Sequence, residues 1–143
     1  MTKKYQQPNF LIDFHSQADY EKWLTRKAHT HFERDKKRGN TKSTNKEYKE
    51  AIHQAVCECG ELDVYTGERL NWNLLSKWNN EEAKKGRRKY KKKFALLPSV
   101  DHVGDGTGSA NFKICVWRTN DAKNDLSLNE FVKLCQKVVE KNT

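Results

Sequence analysis

Long apolar runs are missing from this chain. No stretch approaches the ~20 consecutive apolar residues that carry a helix across a bilayer, which excludes a membrane-spanning helix and any membrane partner built on one. A charged N-terminal segment followed by an apolar one is missing too. Residues 1–12 alternate polar and apolar and do not read as a signal peptide, so the expected location is cytoplasmic. Cysteine is sparse. Cys57, Cys59, Cys115 and Cys135, with no export signal, read as reduced thiols and not as a disulfide framework. There is no internal repeat. At 143 residues and 35% apolar, the chain supports one domain with one modest core and does not suggest a second.

What the chain has is positive charge in one place. The net charge of +9 favours a polyanionic partner. Residues 84–93 contain Lys84, Lys85, Arg87, Arg88, Lys89, Lys91, Lys92 and Lys93 and no acid, so this window holds eight of the nine net charges. A solvated basic face is the plain reading of such a run. Its concentration, the interruption by Tyr90 and the flanking Phe94 read instead as an electrostatic footprint for a phosphate backbone. Tyr90 is the best candidate for stacking on a base, because it lies inside the run. Trp23, Trp72, Trp78 and Trp117 read as core.

Periodicity places the elements of an α+β protein with a helical N-terminal half. Residues 1–15 form a lead-in with an apolar plug of Phe10, Leu11, Ile12 and Phe14. Tyr20, Trp23, Leu24, Ala28 and Phe32 predict a helix over 19–37, capped by Ser16 and stopped by Gly39. Thr44 and Glu47 form a capping-box pattern before a second helix with Tyr48, Ala51, Ile52, Ala55 and Val56 on one face. Residues 57–72 read as irregular, with a turn at 63–67 and with Leu70, Trp72, Leu74 and Leu75 in the core. Helix is compatible with either side of Gly86. Strands are predicted over 94–103 and 111–117, joined as an antiparallel hairpin by the glycine-rich loop 104–110. A short helix should begin at 120–124. Ser127 and Glu130 cap a last helix to about residue 141, with Leu128, Phe131, Leu134, Cys135, Val138 and Val139 inward.

The polar residues of the hairpin carry chemistry. Asp101 and His102 end the first strand, Asn111 begins the second, and Asn120 begins the short helix. Nine positions separate His102 from Asn111, and nine separate Asn111 from Asn120. Taken singly, each has an ordinary turn or cap reading. Together they set a carboxylate beside an imidazole and bring back a second oxygen ligand. The loop 104–110 is not a P-loop, because it lacks the Lys-Ser/Thr ending and a following helix.

At this point the chain resembles the HNH, or ββα-metal, endonucleases. The likeness lies in Leu97-Pro-Ser-Val-Asp-His-Val103, then Asn111-Phe-Lys-Ile-Cys-Val-Trp-Arg-Thr-Asn-Asp-Ala-Lys123, and the following Asp125-Leu-Ser, about thirty residues in all. The resemblance implies a ββα unit over 94–125. It implies His102 as the general base that takes a proton from water, and Asp101 and Asn120 as ligands to one Mg²⁺ or Mn²⁺. Asn111 would hold the loop and help orient His102, and Lys123 would contact a phosphate. DNA, as duplex, would be the substrate, and a dimer is compatible with the sequence.

The chain departs from the family at cysteine. Where many relatives carry two Cys-x-x-Cys pairs for a structural zinc, this chain offers only Cys57-Glu-Cys59, with Val116 and Thr119 in the second pair's place. Structural zinc is therefore not expected. The thiols read as free, with a makeshift site from His53, Cys57, Cys59 and Cys115 as the alternative. His15, His29, His31 and His53 show no ligand spacing and read as surface or packing residues. Two rivals to the nuclease reading stand: a nucleic-acid-binding module without catalysis, and a protein whose basic run meets an acidic protein partner.

Overall fold

Ser16 starts the first helix. Its hydroxyl accepts from the Asp19 backbone N–H, and α1 (Gln17–Lys37) follows. The helix stops at Gly39, whose φ of +97° suits glycine, and whose N–H reaches the Lys36 carbonyl. Thr44 and Glu47 complete the expected capping box and open α2 (Asn45–Cys59). α2 is longer than the sequence pattern indicates. It carries Cys57 and Cys59, expected in irregular chain.

The computed structural model describes residues 4–77, 79–104 and 106–143. Among these, α1 and α2 are followed by α3 (Asn80–Gly86), α4 (Arg88–Lys93), β1 (Pro98–His102), β2 (Phe112–Val116), α5 (Trp117–Lys123) and α6 (Leu128–Asn142). The architecture is mixed α+β, mostly helical, with one two-stranded antiparallel sheet. Trp78, expected in the core, and Asp105 of the glycine-rich loop lie outside the described residues. Among the described residues no helix is long and apolar enough to cross a membrane.

The core forms where α1, α2 and the hairpin meet. Tyr20, Trp23, Leu24 and Ala28 from α1 join Tyr48, Ile52 and Val56 from α2 and Val100, Phe112 and Ile114 from the strands. Trp72 packs edge-on against Trp23, with ring centroids 5.8 Å apart. Of the predicted plug, Leu11 is buried and Phe10 lies on Trp72, whereas Ile12 and Phe14 are exposed. Asp63 pins the intervening loop to the sheet. One carboxylate oxygen accepts from the Tyr65 and Thr66 N–H groups and the other from the Val116 N–H.

The strands are shorter than predicted. Residues 94–97 form a turn closed by the Leu97 N–H on the Phe94 carbonyl, and Trp117 already belongs to α5. The antiparallel hairpin is as expected, with His102 opposite Phe112 and Asp101 opposite Lys113.

The last helix differs most. Ser127 and Glu130 cap α6 as predicted, yet none of its residues is buried. Leu128, Leu134, Val138 and Val139 are about half exposed, Cys135 is exposed and only Phe131 is partly covered. The apolar spacing specifies a helix but not what the stripe meets.

Candidate functional site

β1 ends at the site. Successive side chains of a strand point to opposite faces, so Asp101 and His102 look in different directions. His102 turns toward α1 and α2, and Asp101 turns toward Tyr65 and α5. Both border a cleft of about 250 Å³, which Asn120, Arg34, Arg38 and Trp117 also line.

His102 is held on both ring nitrogens. Nδ1 lies 2.6 Å from Asp35 Oδ2, and Nε2 lies 3.0 Å from the Ser109 carbonyl oxygen. The His102 and Asp35 side chains are each only 1% exposed, so this is a buried contact. Burial pushes the Asp35 carboxyl up. Hydrogen bonds from Tyr48 and His102 and the nearby Arg34 charge more than offset that and hold it below the ordinary carboxylate range. An ionised Asp35 and a backbone carbonyl are both acceptors. A neutral ring, with its one proton on Nδ1 or on Nε2, donates to only one of them at a time.

Behind this pair stands a polar network. The Tyr48 hydroxyl donates to Asp35 Oδ2 at 2.7 Å, and burial together with that carboxylate pushes the phenol up. Asn40 Nδ2 lies 3.1 Å from the Tyr48 oxygen, 2.7 Å from the Gly106 carbonyl and 2.9 Å from that of Gly108. Gly106 has φ +89°, and a Cβ there would sit 2.7 Å from Asp35 Oδ1, so the loop closes over the carboxylate only with glycine.

The family resemblance gives the orienting role to Asn111. In the structure Asn111 is exposed and contributes its backbone carbonyl, which accepts from the Val103 N–H. The side chains that orient His102 and hold the loop are Asp35 and Asn40. One signal for Asp35 is present in the sequence. It lies four positions beyond His31 on the face that carries Leu24 and Ala28, and a carboxylate on a buried face requires a partner.

On the other side, Asp101 Oδ2 accepts from the Tyr65 hydroxyl at 2.6 Å and pairs with Lys123 Nζ at 3.1 Å. Lys123, expected to contact a phosphate, is buried. Its stem lies in α5, and its ammonium is turned inward to the carboxylate. Burial and the adjacent Asp101 push the Tyr65 phenol up, and burial with Asp101 and Asp63 does the same to the Cys115 thiol.

Asn120 is the fourth residue of α5 and does not begin it as predicted. Its Nδ2 donates to Ser99 Oγ at 2.8 Å and lies 3.4 Å from the Val100 carbonyl. Both amide protons are thereby directed into β1, which leaves the amide oxygen as the group to meet a ligand in the cleft. A carboxylate and an amide oxygen on one cleft fit a hard divalent cation, with Lys123 as the group that a cation on Asp101 would have to displace.

The basic segment is helical on both sides of Gly86, and its lysines and arginines are exposed. Tyr90, expected to stack on a base, is buried. It is the aromatic side chain of a basic helix, so it turns inward. Its ring lies 4.9 Å from Phe94, and its hydroxyl accepts from the Asn79 N–H. Trp117, expected in the core, is half-buried on the cleft wall, with Lys91 Nζ 5.9 Å from its ring. The basic helix α4 thus adjoins the cleft.

The cysteines do not converge. Cys57 Sγ lies 3.7 Å from His53 Nε2, whose Nδ1 faces the Tyr20 hydroxyl, while Cys115 is buried in β2 beside Asp101 and Lys123. Among the described residues no three His, Cys, Asp or Glu side chains gather into one group. Comparison of the chain with protein-family models, with curated proteins and with solved structures gives no match.

Proposed function

We propose that the chain is an HNH-type endonuclease that hydrolyses DNA phosphodiester bonds with one divalent cation. The observation that carries this reading is the convergence of Asp101, His102 and Asn120 on one cleft. Asp101 and Asn120 would hold Mg²⁺ or Mn²⁺ through a carboxylate and an amide oxygen. When bound, that ion neutralises charge on the phosphate and on the leaving oxygen. His102 acts through Nε2. With Nδ1–H donated to Asp35, the neutral ring presents Nε2 as a proton acceptor once the Ser109 carbonyl gives way. Lysines and arginines of α3 and α4 would track the phosphate backbone toward the cleft, with Lys91 beside Trp117 at its edge.

Supercoiled plasmid tests the reading. Nicked and linear products should form in Mg²⁺ or Mn²⁺ and not in EDTA. No product under any divalent metal would exclude it.

A second reading, a DNA-binding module without catalysis, has its own support. Asp101 is already neutralised by Lys123, and both His102 nitrogens face acceptors. It requires salt-sensitive duplex binding with no nicking.

A further inference from the structure

We propose that Asp35 is the positioning residue for His102: it fixes the imidazole through Nδ1 and so selects Nε2 as the nitrogen that works in the cleft. The inference rests on the nuclease reading for its catalytic consequence, but not for its geometry.

Three features make Asp35 more than a neighbour. Its carboxylate is withdrawn from water and stays ionised, so it accepts and never donates, and the proton between it and the ring belongs to Nδ1. The carboxylate cannot turn away. The Tyr48 hydroxyl holds Oδ2, Arg34 Nε lies 3.2 Å from Oδ1, and Gly106 closes over the same oxygen. The ring is confined as well, tilted on Phe112 at 4.6 Å and edge-on to Tyr48 at 5.4 Å. A ring held in one tautomer by a buried carboxylate can exchange a proton at one nitrogen only.

This division of labour also separates the two contacts of His102. The Asp35 contact is built from helix side chains behind the strand. The Ser109 contact is a single carbonyl on the glycine-rich loop, which makes it the one substrate can replace.

Two variants and two readouts test the proposal. Asp35→Asn keeps the shape and removes the charge. Asp35→Ala removes both and leaves the Tyr48 hydroxyl without its acceptor. In the full-length protein, ¹⁵N spectra of the histidine rings should show His102 protonated on Nδ1, slow to exchange, and a mixture of tautomers in Asp35→Asn. On plasmid in Mg²⁺, Asp35→Asn should lower kcat by roughly 10²-fold or more with KM changed by less than about threefold, the pattern expected when the ring adopts the wrong tautomer. Ile52→Val, a core change on α2 away from the cleft, should leave kcat unchanged and so controls for stability alone. A wild-type ring protonated on Nε2 alone, or an Asp35→Asn protein with wild-type kcat, would overturn the proposal. If wild type cleaves nothing, the nuclease reading fails while the ring spectra still decide whether Asp35 fixes the tautomer.

Discussion

His31 and Lys123 are both basic groups taken out of water, and each meets the cost differently. His31 gives up its charge. Burial and the adjacent Arg34, whose Nη2 lies 3.0 Å from His31 Nδ1, push it from 6.5 down to about 3. The unfolded chain binds a proton there below about 6.5 and the folded chain does not. Stability conferred by neutral His31 is therefore complete above that pH and lost as pH falls toward 3, at up to ~1.4 kcal/mol per pH unit. Urea unfolding at pH 7, 5.5 and 4 should show this decline, and His31→Leu should flatten it. Lys123 instead lies against a carboxylate, with Nζ 3.1 Å from Asp101 Oδ2. Lys123→Met leaves a buried carboxylate with only Tyr65, which should cost about 3–5 kcal/mol. If Asp101 is a metal ligand, Mg²⁺ should raise the melting temperature of Lys123→Met more than that of wild type, because the competing ammonium is gone. An equal shift in both proteins would argue against metal on Asp101.

Elements defined by local chemistry are legible in the sequence. Ser16, Thr44 with Glu47, and Ser127 with Glu130 each cap the helix they announce. Removing one cap by Thr44→Ala should cost ~1 kcal/mol in chemical denaturation. What local chemistry does not specify is the partner of a face. Tyr90 and the α6 stripe show this in opposite senses. An aromatic residue in a charged run turns inward against Phe94, while a regular apolar stripe stays half exposed. Substitutions should reveal the contrast. Ile52→Ala, fully buried in α2, should cost about 2–5 kcal/mol, whereas Val138→Ala in α6 should stay within about 0.5 kcal/mol. A large destabilisation by Val138→Ala would mean that α6 packs in solution against something that the stripe needs. The candidate site is legible in its strand-borne and helix-borne members, Asp101, His102 and Asn120, because their spacing is local. For Asp35 the helix face signals only that a partner is needed; which partner is not legible, because His102 lies 67 positions away and only the packing of α1 against the hairpin joins them.

For the whole molecule, charge is the clearest statement. Residues 84–93, which span the end of α3, the bend and α4, hold eight of the nine net positive charges, exposed, and α4 adjoins the cleft wall at Trp117. Such a surface binds polyanions by releasing counterions, so duplex affinity should fall steeply with salt. Replacing Lys89, Lys92 and Lys93 by Gln should lower the slope of log K against log [salt] by roughly one for each phosphate that is no longer neutralised. It should leave the melting temperature nearly unchanged, because these side chains support no core. The measurement that bears most directly on the central claim is plasmid nicking in Mg²⁺ by wild type and by His102→Ala, at matched concentration and verified fold. Wild type should nick the plasmid in a metal-dependent way, and the rate should fall by ~10²-fold or more in His102→Ala. Equal products from the two proteins, or none from either across a range of divalent metals, would contradict it.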